Sequence, residues 1–147
     1  GATDKAIEFY EKALEENPHD KHAYANLGST LLYKKPKQAK EYLQKALNID
    51  PEHDIALIEL GKIDKSEGNT VAAQVKFRKA YDLYLKQWKT NSLPKYAYGW
   101  FATVAEELEE NNFAKEIRAS APKTESEAYY NKENLSMTKT KALTNNN

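Results

Sequence analysis

Residues 24–51 read YANLGSTLLYKKPKQAKEYLQKALNIDP, and this stretch decides the fold. Its second half carries Ala39 and Ala46, seven residues apart. That spacing puts both alanines on one face of a helix, two turns from each other. Small side chains there let a neighbouring helix come close. Outward from this stretch the same pair recurs as Ala6/Ala13, Ala73/Ala80 and Ala114/Ala121. The first three pairs follow one another at steps of 33 and 34 residues, and the fourth comes after 41. Self-similarity at this period signals a stacked array of helical hairpins. Arrays of that kind offer extended surfaces for binding other proteins.

Aligning the alanines brings further positions into register. Tyr24-x2-Leu27-Gly28 precedes the second pair, and Leu57-x2-Leu60-Gly61 precedes the third. Pro18 and Pro51 each follow an alanine by five residues, and the position four after the first alanine is Tyr10, Leu43, Phe77 and then Arg118. This resembles the tetratricopeptide repeat family, over residues 1–122. The resemblance implies an all-α fold, a right-handed superhelical array of antiparallel helix hairpins (a TPR-like α-solenoid). Each repeat is then helix A, a tight turn and helix B. A glycine inside a helix costs about 1 kcal/mol relative to alanine. Gly28 and Gly61 therefore read as places where helix B packs against the backbone of helix A. Ala39 and Ala73 are expected at those contacts, with Lys76 on the solvent side.

The pattern divides the chain. Residues 1–20 hold helix B of a truncated first repeat, with the helix over 4–16. Residues 21–53 form a full repeat, one residue short, with Pro36 in its A–B turn. Residues 54–90 form a repeat whose helix B is extended by about two turns, since Leu85 stands where a proline would end it and Tyr81, Tyr84 and Trp88 continue the apolar face. This helix is expected over 70–89. Residues 91–122 form a degenerate repeat, in which Tyr98 and Phe101 take core positions. Arg118 replaces a large apolar residue there, Ile117 fills its space and Pro122 ends the helix. Residues 123–147 form a C-terminal segment: a capping box at Thr124–Glu127, a short helix to about Leu135, then a polar tail. The missing first A helix reads as a fragment of a longer array or as a boundary inside a repeat.

Composition narrows the function classes. Lys+Arg and Asp+Glu balance at 22 each, for a net charge of zero. Nucleic-acid binding and broad attachment to an anionic membrane need excess positive charge, so neither is expected. No run of apolar residues is long enough to span a bilayer, so membrane insertion is not expected either. The chain has no cysteine, hence no disulfide framework, thiol nucleophile or thiolate metal site. The residues given show no leader, and the expected location is cytoplasmic.

Chemistry is sparse. His19 and His22 could form a metal pair, but two imidazoles do not define a site. They follow Pro18 in what reads as a solvated inter-repeat turn, and His53 follows Pro51 at a similar point. The run Glu106-Glu107-Leu108-Glu109-Glu110 reads as a solvated helix face. No phosphate loop, nucleophile elbow or zinc-protease signature occurs. No enzyme activity, cofactor, catalytic residue or metal ligand is expected.

The family resemblance implies a concave groove lined by A helices and holding a peptide or protein. Carried over position by position, it assigns His22, Ala25, Asn26, Ser29 and Tyr33 in the second repeat. It assigns Ile55, Ile58, Glu59, Lys62 and Ser66 in the third, and Tyr96, Gly99, Trp100, Thr103 and Glu107 in the fourth. Ile55, Ile58 and Trp100 would make an apolar strip. Tyr96 and Trp100 read equally as binding anchors or as core under a neighbouring segment. One subfamily clamps chaperone carboxylates with basic residues, but Glu59 stands where a cation is needed and would repel such a ligand. Two alternatives to groove binding remain. One is self-assembly, as a weak homodimer through the open stripe Ala6, Ile7, Tyr10 and Leu14. The other is recruitment of substrate within a larger enzyme.

Overall fold

A computed structural model describes residues 1–122. Among these residues the regular structure is all helix: α1 (Ala2–Glu16), α2 (Lys21–Leu31), α3 (Pro36–Ile49), α4 (Asp54–Ser66), α5 (Thr70–Lys89), α6 (Ala97–Glu107) and α7 (Asn111–Ser120). The expected capping box and short helix after Pro122 lie outside the described residues. In repeat terms α1 is a B helix, and α2/α3, α4/α5 and α6/α7 are A/B pairs in a TPR-like α-solenoid fold. The chain forms two compact units, Gly1–Ala80 and Tyr81 onward. Helix α5 contributes its first half to one and its second half to the other.

In the first unit the repeat glycines explain the packing. A Cβ on Gly28 would lie 2.6 Å from Leu43 Cγ and 3.0 Å from the Ala39 carbonyl oxygen. A Cβ on Gly61 would lie 2.6 Å from the Phe77 ring. Each B helix thus seats its large residue directly on A-helix backbone. Ala39, Leu43, Ala46, Ala73, Phe77 and Ala80 are all buried. Ala25, Leu43, Ala46, Ala56 and Leu60 form one cluster; Leu27, Leu31 and Ala39 form another, covered by Ile7, Tyr10 and Leu14 of α1. Every residue from Ala56 to Gly61 is buried, so α4 is enclosed all round rather than amphipathic.

Helix ends follow local chemistry. The Asp20 carboxylate accepts from the amides of His22 and Ala23 at 2.9 and 3.0 Å and caps α2. Gly68 takes φ +83 after α4, and the Asn69 amide bonds back to the Asp64 carbonyl. That left-handed residue with a six-to-one bond is a Schellman stop. Pro36 does not sit in a turn as expected. It is the first residue of α3, where a missing N–H costs nothing and the fixed φ suits the helix. Lys76 is also not on the solvent side. It lies half-buried and its ammonium binds Asp64 Oδ2 at 2.5 Å, because the A–B turn brings α5 back along the end of α4.

The second unit has an aromatic core. Tyr81, Tyr84 and Trp88, the extension of α5, surround Phe101 at centroid distances of 5.5, 5.8 and 6.3 Å. Phe113 of α7 closes the group, 5.2 Å from Trp88 and 5.7 Å from Phe101. The Tyr81 hydroxyl donates to Glu110 at 2.6 Å. Ile117 is fully buried and fills the space that Arg118 leaves. Arg118 turns outward to a two-pronged pair with Glu106, whose second bond is 3.0 Å. That guanidinium holds the Glu106 carboxyl below its ordinary range.

Candidate functional site

The candidate residues lie on the A helices α2, α4 and α6, apart from Tyr33, in the turn after α2, and Tyr96, just before α6. In the first unit three of them meet. Ser29 Oγ donates to Glu59 Oε1 at 3.0 Å, across from α2 to α4. Lys62, one turn on, stands 3.5 Å from Glu59 Oε2. Glu59 is only 5% exposed, and its Oε2 accepts no hydrogen bond from the described residues. The carboxylate is therefore neutralised by an ion pair and fixed by one hydroxyl. Such a buried polar link sets how two neighbouring A helices sit.

Tyr33, in the turn that follows α2, shares a pocket of about 470 Å³ with Lys62 and Ser66 of α4. Leu32, Pro36 and Ile63 supply its apolar wall, and Lys37, Lys40 and Glu67 its outer rim. Leu32 and Ile63 rest against the two core clusters behind them, so the wall is held from inside. Tyr33 is 94% exposed. Lys40 bonds Glu67 at 2.8 and 3.0 Å.

Other candidates behave differently. Ile58 and Ala25 are fully buried, so neither offers an accessible contact, and the expected apolar strip loses its middle member. The reason is the all-round enclosure of α4. Ile55 and Asn26 are half-buried. In the second unit Tyr96 is exposed and forms the N-cap position of α6 rather than part of the helix. Trp100 and Glu107 are half-buried and Gly99 exposed. Thr103 spends its hydroxyl on the Gly99 carbonyl at 2.9 Å, a local back-bond of the kind helix threonines make.

His22 pairs with His53, not with His19. His53 Nε2 lies 3.0 Å from His22 Nδ1, while His53 Nδ1 accepts from the Ala56 amide at 3.4 Å and caps α4. His53 is 4% exposed, which corrects the reading of it as a solvated turn residue. The period explains it, because His53 falls 33 residues after Asp20 and takes over its capping position. With Nδ1 as acceptor, the His53 proton sits on Nε2 and is donated to His22. Burial pushes the His53 pKa down, Asp54 opposes this, and His22 adds to it. Among the described residues no cluster of three His, Cys, Asp or Glu could hold a metal ion, and no helix is long and apolar enough to cross a membrane.

Sequence reasoning missed Phe113 and the His22–His53 contact. The first lies outside the repeat consensus. The second was legible in the matching offsets of Asp20 and His53.

Among curated proteins none matches the chain. Residues 1–20 and 22–53 match the family model for the tetratricopeptide repeat. The match takes in α1, α2 and α3, the helices whose glycine-on-leucine contact and paired alanines carry the repeat geometry, so residues 1–53 are similar to tetratricopeptide repeats.

Proposed function

We propose that the chain is a non-enzymatic module that binds a peptide or protein partner along its A helices. Tetratricopeptide repeats generally mediate protein–protein interactions. The observation that carries the reading for this chain is the pocket in which Tyr33, Lys62 and Ser66 meet. These are three positions that the repeat pattern assigns to ligand contact, and they surround a concave, partly apolar space with a few polar groups, the usual make-up of a binding site. Half-buried Trp100 and exposed Tyr96 add aromatic surface in the second unit.

The test is selection from a random peptide library displayed on phage, followed by affinity measurement on variants. Enriched peptides should lose about tenfold or more in affinity with Tyr33→Ala or Lys62→Ala, as an interface anchor does. Peptides indifferent to Tyr33→Ala, Lys62→Ala and Trp100→Ala alike, or no enrichment at all, would overturn the reading. Ile58 is unsuitable as a probe, since a change at that buried site disrupts the fold.

A second reading, self-association through α1, has its own support. No residue of α1 is buried, and Phe9 is 68% exposed. Tyr10 faces the Leu27/Leu31 cluster, so Phe9→Glu is the sharper probe. Light scattering should then show a concentration-dependent dimer that Phe9→Glu abolishes; a wild type that stays monomeric at high concentration removes this reading.

A further inference from the structure

The pocket between the second repeat's A–B turn and helix α4 has a chemistry of its own. Here Lys37, Lys40 and Lys62 gather around an apolar hollow. The chain as a whole is neutral, yet the turn reads Tyr33-Lys34-Lys35-Pro36-Lys37, and Lys40 and Lys62 complete the surround. Against these stands Glu67 on the rim. Glu59 is not part of the wall; Lys62 stands next to it.

Lys62 is paired with Glu59, and the pairings of the other lysines leave their charge available. Lys40 and Glu67 are both nearly half-exposed, and an exposed pair of that kind holds weakly, so an incoming carboxylate can exchange with Glu67. Lys34 reaches Asp4 only at 3.4 Å, with both side chains more than half-exposed. Lys37 is exposed and makes no ion pair among the described residues. Beneath the lysines the wall of Leu32, Pro36 and Ile63 is pre-formed, because Leu32 and Ile63 are backed by core. Tyr33 stands at the lip, almost wholly in solvent.

We infer that this pocket is the docking point for an acidic peptide segment, one apolar side chain of which enters between Leu32, Pro36 and Ile63 while flanking carboxylates meet Lys37 and Lys40. The inference rests on the peptide-binding reading above and names the class of partner. Shape and charge choose the occupant together. A hollow of about 470 Å³ takes a side chain and its neighbours, not a duplex. A nucleic-acid or lipid surface needs a broad basic face, whereas here the lysines ring an apolar centre. Tyr33 closes over the peptide as a rigid aromatic anchor.

The experiment uses the whole chain and a fluorescein-labelled peptide, Glu-Asp-Glu-Leu-Leu-Glu-Asp-Glu, followed by anisotropy. The controls are the same peptide with Lys for every acid, the same peptide with Ser for both Leu, single-stranded oligothymidine, and phosphatidylserine vesicles. The acidic peptide with leucines should bind, and weaken strongly as salt rises from about 0.05 M to about 0.5 M, the range over which exposed charges become screened. Lys37→Glu and Tyr33→Ala should each reduce its affinity about tenfold or more; both residues are exposed, and surface changes of this kind leave folding nearly untouched. Circular dichroism of both variants checks that. Loss of binding on replacing Leu by Ser places the apolar residue in the hollow. The proposal is overturned by no binding of the acidic peptide, by equal binding of the lysine peptide, by indifference to Lys37→Glu, or by preference for the oligonucleotide or vesicles. Library-selected peptides that are not acidic but still depend on Tyr33 would overturn this inference while leaving the general peptide-binding reading in place.

Discussion

Each A helix carries one glycine, and the structure gives the three different neighbours. Replacing a helix-interior glycine by alanine gains about 1 kcal/mol from backbone propensity. At Gly99 nothing lies within 4 Å of the added Cβ, so Gly99→Ala should realise that gain almost whole. At Gly28 the new methyl would meet Leu43 Cγ at 2.6 Å and the Ala39 carbonyl oxygen at 3.0 Å. Cγ is the branch point of a fully buried leucine, and the carbonyl is held in α3, so neither can step aside unless α3 moves. At Gly61 three ring atoms of fully buried Phe77 lie at 2.6, 2.9 and 3.2 Å. Overpacking of this kind costs about 1–3 kcal/mol, and two unyielding obstructions put Gly28 at the upper end. After the propensity gain, Gly28→Ala and Gly61→Ala should still destabilise by about 1–2 kcal/mol. The three variants therefore differ in sign, not just in size. Urea titrations followed by far-ultraviolet circular dichroism will show it: the midpoint rises for Gly99→Ala and falls for the other two. Phe77→Leu in the Gly61→Ala background should recover part of the loss by trimming the ring. A higher midpoint for Gly28→Ala or Gly61→Ala would refute the claim that the B helices sit on A-helix backbone.

Two other predictions follow from buried polar contacts. Lys76→Ala removes the cation beside Asp64, whose side chain is 12% exposed, and should cost about 1–3 kcal/mol by leaving a carboxylate without its partner; thermal melts will test it, and an unchanged midpoint would mean the pair contributes nothing. The lowered His53 pKa means that the unfolded chain takes up this proton first, so the stability from His53 is complete above about pH 6.5 and is lost as pH falls through the folded value; the slope reaches at most about 1.4 kcal/mol per pH unit. His53→Asn keeps a capping oxygen and cannot titrate, so its urea midpoint should depend less steeply on pH between about 7 and 5, and equal slopes in both proteins would refute the assignment.

The sequence carried those parts of the fold that are periodic. Paired alanines and the glycine-on-leucine contact are one-dimensional signals, because each residue meets its neighbour at a fixed offset along the chain. The twenty-residue α5 was legible for a similar reason: Leu85, not proline, stands five residues after Ala80, and the apolar spacing runs on to Trp88. Positions where burial depends on a third element were not legible. Ile58 reads as a groove residue on an amphipathic helix, but α4 is enclosed on every side, and helical spacing cannot report how many neighbours a helix has. Lys76 fails for the same reason, since its surroundings are set by the end of another helix. His53 shows the opposite case. Its residue type suggested a solvated turn, while its offset from Asp20 gave its real position, and the offset was the better guide.

The pocket itself grows from a departure in the repeat. In the third repeat the A–B turn passes through left-handed Gly68, and in the fourth through left-handed Glu109. Both close with an amide bonded five residues back, from Asn69 to the Asp64 carbonyl and from Glu110 to the Ala105 carbonyl. The second repeat's turn contains no residue with positive φ. It leaves α2 at Leu32 in helical geometry, passes through Lys35 at φ -141 and ψ 69, and starts α3 directly on Pro36. A turn that runs into a proline at the first helical position projects the residues on either side of it. Tyr33, Lys35 and Lys37 are accordingly exposed, and Leu32 and Pro36 are left forming a wall instead of closing a core. The second repeat is one residue shorter than the third measured between successive alanines, and that shortening removes the room a glycine stop would need. The same change that makes this repeat atypical thus supplies an aromatic lip, a basic rim and an apolar wall together. Restoring a longer turn by inserting Gly between Lys35 and Pro36 should therefore keep the α2–α3 contact at Gly28 while abolishing binding of the acidic leucine peptide. Unchanged binding by that insertion variant, with its fold intact by circular dichroism, would separate the pocket's chemistry from the turn that is held here to create it.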